Sequence, residues 1–385
     1  MQKKVIAIAV AGALAAPAVA MAQSTVTVFG NIYMEYAFIN SGRALNGVDT
    51  ANVDMLQAGG SEIGFRGEEK LGGGMSAWFQ CASTADLRGT SVDGWCGRNS
   101  AIGLKGGLGN LFVGVWDAPF KRTIAAVGGR DTGVFGTAFL ISGSSTTTAD
   151  GASPGVFKRR QTNSINYDSP NFGGFQFMAM TSTTNSSTAT TTSSAGAKPR
   201  ILSLAGSYKA GPLDIGVGYE KHTNAYPNVA QPGLATFAGD EHGYHVSAAY
   251  TLPMGLKLGA TFTEQEADTT AAATAKVKVY HVGAEWKFSG PHGLALGYTH
   301  AGDMKGTVGA AMGSRPVVTA ADNTGAKLWQ IRYLHDLSKR TQAQVGYVSL
   351  KNDNAASYDL GGLAYAAAAS GAKQRAVAVS IRHSF

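Results

Sequence analysis

The chain has 385 residues, 44% of them hydrophobic and only 15% charged, with 51 glycines, 14 tyrosines, 16 phenylalanines and 11 prolines; its mean hydropathy is −0.03. No apolar run beyond residue 22 is long enough for a transmembrane helix, which excludes a helical membrane protein. The formal charge of +7 would suit nucleic acid, but the export signal described next argues against that partner. This balance fits a membrane barrel, whose strands turn one face to lipid and one to water, and equally a large secreted β-protein.

Lys3 and Lys4 form a basic start, residues 5–14 an apolar stretch, and Ala20-Met21-Ala22 a small-residue cleavage site. These mark residues 1–22 as a secretory signal peptide and 23–385 as the mature barrel domain. The apolar stretch is too short for an anchor helix. Removing Lys3 and Lys4 lowers the net positive charge.

A strand that crosses a bilayer needs about 9–11 residues with alternate side chains facing lipid. Val26, Val28, Ile32, Met34, Tyr36 and Phe38 share one parity, with Thr27, Asn31 and Glu35 on the other. Leu213, Ile215, Val217 and Tyr219 alternate with Asp214, Gly216, Gly218 and Glu220. The same period runs through Leu256, Leu258, Ala260 and Phe262, through Trp329, Ile331 and Tyr333, and through Val377, Val379, Ile381 and Phe385. Tyr208, Tyr219, Tyr250, Trp286, Tyr298, Trp329 and Tyr333 fall on the lipid parity near strand ends, as aromatic girdles do.

The connections alternate in length. Short turns fall at 71–74, 106–109, 169–174, 210–212, 252–255, 289–292 and 336–340. Long polar loops fall at 40–53, 85–97, 118–158, 183–199, 223–242, 266–275, 301–325 and 351–372. Seven turns and eight loops predict sixteen strands, an even number that brings both ends to the periplasmic side and closes the sheet. The fold expected is all-β, a sixteen-stranded antiparallel transmembrane β-barrel. The only cysteines, Cys81 and Cys96, flank one short segment and are either a disulfide across a single hairpin or two free thiols.

Residues 61–74, SEIGFRGEEKLGGG, resemble the second strand and first turn of Gram-negative porins. Similar resemblances lie at 101–105, 163–170, 337–341 and the terminal 380–385. Together they resemble the trimeric porins of β-proteobacteria and Neisseria-type bacteria along the whole chain. That resemblance implies a homotrimer in the outer membrane and a third external loop, here 118–158, folded into the lumen as a constriction. It also implies that the terminal Phe385 marks the chain for the barrel-assembly machinery. The expected contacts are outer-membrane lipid and small hydrophilic solutes and ions, with no cofactor and no metal.

Selectivity in such a pore depends on its width and the charge around its narrowest ring. The candidate lumen residues are Glu62, Arg66, Arg98, Asp117, Lys121, Arg122, Arg130, Asp131 and Arg160. Arg66 shares a polar face with Glu62 and Glu68, and Arg160 shares the parity of Thr162, Ser164 and Asn166. Arg122 and Arg130 read equally well as solvated rim charges. Two positions depart from the family pattern: Glu62 stands where arginine is common, and Gly114 is followed by Val115 in place of arginine. Both weaken the expectation of mild anion preference.

Three rivals remain. A barrel enzyme would need a nucleophile–base pair at the rim, and none of the eight histidines lies in a diagnostic motif; His242 and His245 alone make a poor metal site and read as solvated. An adhesin with a plugged lumen is opposed by small inward residues at Gly216, Gly218, Gly259, Gly283 and Gly297, which leave space inside. A substrate-specific channel for small organic or inorganic anions would use the same fold.

Overall fold

The computed structural model describes residues 26–42, 52–89, 94–130, 132–137, 140–141, 156–183, 200–224, 239–270, 273–306, 322–362 and 370–385. The signal segment 1–22 and Asp131 lie outside the described residues.

The alternating segments pair into one antiparallel sheet that closes on itself. In chain order the strands are β1 (Thr27–Asn40), β2 (Val53–Gln57 continued by Glu62–Gly72), β3 (Met75–Thr84), β4 (Ser100–Gly106), β5 (Gly109–Asp117), β6 (Arg160–Asp168), β7 (Phe175–Ser182), β8 (Arg200–Ala210), β9 (Leu213–Thr223), β10 (Glu241–Thr251), β11 (Leu256–Thr270), β12 (Ala273–Ser289), β13 (His292–Ala301, extended by Lys305–Gly306), β14 (Ala326–Asp336), β15 (Thr341–Asn352) and β16 (Lys373–Ser384). Both halves of β2 pair with β1, and both pieces of β13 pair with β12, so the barrel has sixteen staves. Closure runs from Asn31 opposite Ser384 to Asn40 opposite Arg375. Among the described residues, each stave has a hydrogen-bonded neighbour on both sides, as a sheet in lipid requires.

The outward face carries the apolar parity read from the sequence: Val28, Phe38, Val217, Leu258, Trp286, Trp329 and Val377 are all exposed. The disulfide joins Cys81 of β3 to Cys96 in the second loop.

Two local readings change. The connection 266–275 continues the ladder: Glu266 faces Lys276, Ala267 faces Ala275, and Asp268 faces Thr274. Here the faces are reversed, because the hairpin carries charged residues outward while Ala267, Ala275, Val277 and Val279 are buried inward. Those inward residues join Ile39, Leu328, Val348 and Leu350 in an apolar core capped by Val134, Phe135, Leu140 and Ile141 of the third loop and by Tyr358 and Leu360. The external half of the barrel thus packs like a soluble protein, and loops supply the other side of its core. The second change is at Arg160. Gly114 faces Ser164 but Trp116 faces Gln161, so β6 holds one extra residue there, a β-bulge with Asn163 at φ +48°. Gln161 therefore takes the inward parity of Ser164 and Asn166, and Arg160 takes the other.

Candidate functional site

The third loop leaves β5 at Ala118 and enters a short helix, α1 (Pro119–Thr123). From there its backbone lies on inward-facing side chains around the barrel. Ser203 of β8 accepts the Phe120 N–H at 3.0 Å. The Thr123 hydroxyl stands 3.0 Å from His245 Nε2. Thr261 donates to the Ala125 carbonyl at 2.7 Å, and His281 Nε2 donates to that of Val127 at 2.8 Å. Glu285 accepts the Gly128 N–H at 3.1 Å. Arg332 donates through Nη2 to the carbonyls of Gly128 and Gly129, both at 3.1 Å. Gln330 then holds the Phe135 carbonyl and Glu35 accepts the Val134 N–H. Thr132 donates to Gly59 at the break in β2. The loop therefore follows the inner wall from β8 round to β2.

The inward glycines make that contact close enough to form. Gly259, Gly283 and Gly297 are direct neighbours across β11, β12 and β13. A methyl at Gly259 would stand 2.8 Å from Val127 Cβ, and one at Gly283 2.7 Å from the Val127 carbonyl carbon. Gly216 faces the Thr123 carbonyl, and Gly218 faces His245 and the Phe120 Cα, in the same way. The space these glycines create is filled by loop backbone, so it is not open lumen as their composition suggested. Gly128 answers them from the loop: its φ is +77°, and a Cβ there would press on Leu296. Only glycine fits on both counts.

The candidate charges sort into pairs and singles. Glu62 accepts from Arg98 at 2.7 Å, so the unexpected acid neutralises a neighbouring cation. Glu68 pairs with Lys105. Arg122 grips Asp168 with both guanidinium nitrogens, at 2.8 and 2.7 Å. Lys209 lies 3.4 Å from Asp214, and Lys287 2.7 Å from Asp336. Asp117 is shared between Lys121 at 2.7 Å and Arg160 at 3.3 Å, with Asn99 bonded to both Asp117 and Arg160. This cluster ties the root of the loop to the start of β6. Val115 faces Ser100 on the parity of exposed Leu111 and Val113, so its identity does not bear on lumen charge.

Among the described residues, Arg66, Lys257 and Arg332 face inward with no carboxylate within 4 Å, Lys257 standing opposite Glu285 of β12. Arg66 lies over the Phe29 ring at 5.2 Å, and Arg130 over the Tyr33 ring at 4.2 Å. A cavity of about 450 Å³ opens beneath loop residues 122–127, with Lys209, Lys257, Asp214 and Glu285 on its wall. The structure brings Arg122 and Arg130 to the inner wall and takes Arg160 into the loop root.

Several residues that seat the third loop were not singled out in the sequence. Arg332 and Glu35 were legible only as polar residues on the inward parity, and His281 carried no signal. His245, read as solvated, is buried against α1 with its ring edge-on to Phe120 at 4.7 Å. A second buried group, Glu220–His222–Glu241, lies under Phe157 where the loop returns.

Residues 7–355 match the Gram-negative porin family. The chain belongs to that family. It is accordingly a porin-type barrel of the outer membrane. It is 35% identical over 182 residues to the major outer membrane protein P.IB of Neisseria gonorrhoeae, a match that spans 46% of each chain. It is 28% identical to outer membrane porin protein 32 of Delftia acidovorans over the full length of both. A solved anion-selective porin from Comamonas acidovorans superposes with a TM-score of 0.73 at 24% identity, covering 94% of this chain and all of that one.

Proposed function

We propose that this porin forms a water-filled channel for passive diffusion of small hydrophilic solutes, with a mild preference for anions. The observation that carries the preference is the charge balance of the inner wall. Several of its acids are matched by cations, as in Glu62–Arg98, Glu68–Lys105 and Asp168–Arg122, while, among the described residues, Arg66 and Arg332 have no carboxylate within 4 Å and Lys257, opposite Glu285, makes no ion pair with it. A surplus of fixed positive charge in a narrow aqueous passage raises the local concentration of anions. The anion selectivity of the Comamonas acidovorans protein supports the same sign.

In this reading the third loop is the constriction: pinned from β8 to β2, it narrows the lumen against the opposite wall. Residues 1–22 direct export, Phe385 presents the C-terminus to the assembly machinery, and the working form is a homotrimer. The Phe385 backbone pairs with Gly30 in both directions, at 3.1 and 3.0 Å, and its ring covers Gly30, so the last residue also completes the seam.

The test is the reversal potential of the reconstituted protein across a planar bilayer in a salt gradient. Anion preference with current proportional to voltage is expected. Cation preference would overturn the charge argument, and stepwise block by one anion would replace general diffusion with a substrate-specific channel.

A further inference from the structure

The short-turn end of the outer wall holds a cluster of ring heteroatoms that solute diffusion does not use. His292 opens β13 and directly faces His335 near the end of β14. Both stand half-exposed on the outward parity, and Tyr333 shares that face two residues before His335. Phe288 of β12 stacks on His292 with 6.2 Å between centroids, and Tyr333 stacks on it at 5.9 Å. The two imidazoles lie 4.9 Å apart between centroids. Aromatic neighbours thus fix both rings at the water–lipid boundary, where a girdle of such side chains is expected.

Three polar atoms meet here in excess of what hydrogen bonds can satisfy. His292 Nδ1 lies 2.5 Å from the Tyr333 hydroxyl and 3.3 Å from His335 Nδ1. An imidazole nitrogen offers one position in its ring plane, either a proton or a lone pair. It can bond well to one partner there, and here two address it. The 3.3 Å separation is also long for a hydrogen bond, since protein N–H···O bonds run to about 3.2 Å. It is the separation that a metal ion sets. Two nitrogens held about 2.0–2.1 Å from a tetrahedral ion stand about 3.3–3.4 Å apart. The Tyr333 oxygen, now at 2.5 Å, reaches the same spacing by drawing back about 0.8 Å, a small swing at the tip of a long side chain. Asp336, next along β14, is engaged elsewhere, by Lys287 and by Gln342, each at 2.7 Å.

We infer that His292, His335 and Tyr333 form a binding site for a late divalent transition-metal ion of the zinc and copper type. Its ligands are His292 Nδ1, His335 Nδ1 and Tyr333 Oη. Donor chemistry selects the class: imidazole suits zinc, copper and nickel, whereas magnesium and calcium take oxygen ligands. Three protein ligands leave a further position for water, as in an open zinc site. The site has no sequence motif, because its histidines are 43 positions apart and only the β13–β14 ladder sets them opposite each other.

The experiment uses the untagged full-length mature protein in neutral detergent, titrated by calorimetry with Cu²⁺, with Zn²⁺ and, as the hard cation, with Mg²⁺. A single Cu²⁺ or Zn²⁺ per chain is expected to bind and raise the thermal midpoint, with Mg²⁺ doing neither. Electron paramagnetic resonance of the Cu²⁺ form should show two coordinated nitrogens. H292Q and H335Q should each weaken Cu²⁺ binding on the order of tenfold or more and leave a single coordinated nitrogen at high Cu²⁺. Y333F should weaken binding less and keep both nitrogens. H242Q, at the opposite end of the barrel, should bind Cu²⁺ as wild type does. Equal affinity of wild type and H335Q, equal stabilisation by Mg²⁺, or a wild-type Cu²⁺ spectrum without both nitrogens would each overturn the site. Wild-type affinity in Y333F would overturn the three-ligand assignment. Channel conductance plays no part in these readouts, so the outcome is independent of the proposed pore.

Discussion

Replacing Gly283 with alanine places a methyl group 2.7 Å from the Val127 carbonyl carbon. To restore the 3.4 Å of ordinary van der Waals contact, the third loop has to withdraw from β12. Neighbouring loop bonds weaken with it: His281 to Val127 at 2.8 Å and Arg332 to Gly128 and Gly129 at 3.1 Å. Overpacking of this kind costs about 1–3 kcal/mol, and each charged or buried hydrogen bond lost adds roughly 1–3 kcal/mol. Within the sheet the methyl meets the Leu296 carbonyl oxygen at 2.9 Å, a smaller overlap that a local shift of β13 relieves while Gly259 and Gly297 remain its ladder partners. The barrel should therefore fold normally while the loop, pushed off the wall, moves into the passage. Single-channel recording should show lower mean conductance and more open-channel noise in G283A. G206A is the control, because a methyl there meets nothing nearer than Val217 Cγ2 at 3.4 Å. Conductance and noise equal to wild type in folded G283A would refute the idea that the glycine row seats the loop.

Three further outcomes follow from the same geometry. R332M removes both loop clamps and the bond to Gln344 at 3.0 Å; noise and fluctuating substates should rise while heat stability of the barrel changes little, and an R332M trace as quiet as wild type would count against the clamp. R66E/K257E replaces two inward cations that make no ion pair with acids and should shift the reversal potential toward cation preference; no shift would show that these residues do not face the ion path. C81S/C96S opens a loop closed over 15 residues, which should lower stability by about 3 kcal/mol; urea unfolding would read the loss, with conductance unchanged because the bridge lies on the outer parity.

Much of the barrel was legible because lipid enforces a period of two. Val217 and Tyr219 have to face outward in a closed sheet, and short turns such as 210–212 fix the hairpins around them. The hairpin at 266–275 was misread for the same reason. Beyond the membrane no lipid demands apolar residues outside, so Glu266 and Lys276 face water while Ala267 and Ala275 pack inward. Arg160 was misplaced by one residue of bulge at Asn163, which reverses parity and leaves only a weak trace in sequence. The inward glycines were seen, but their purpose depended on what lay over them.

By itself the sequence determined the sixteen-stranded frame, the order of turns and loops, and which face of each strand meets lipid, because those follow from local periodicity and from the ban on open edges in a bilayer. Tertiary structure decided how charge and space are used inside. Glu62 and Arg98 are 36 positions apart, and Val127 and His281 are 154 apart. Ion pairs and loop seats arise only when closure sets distant strands side by side.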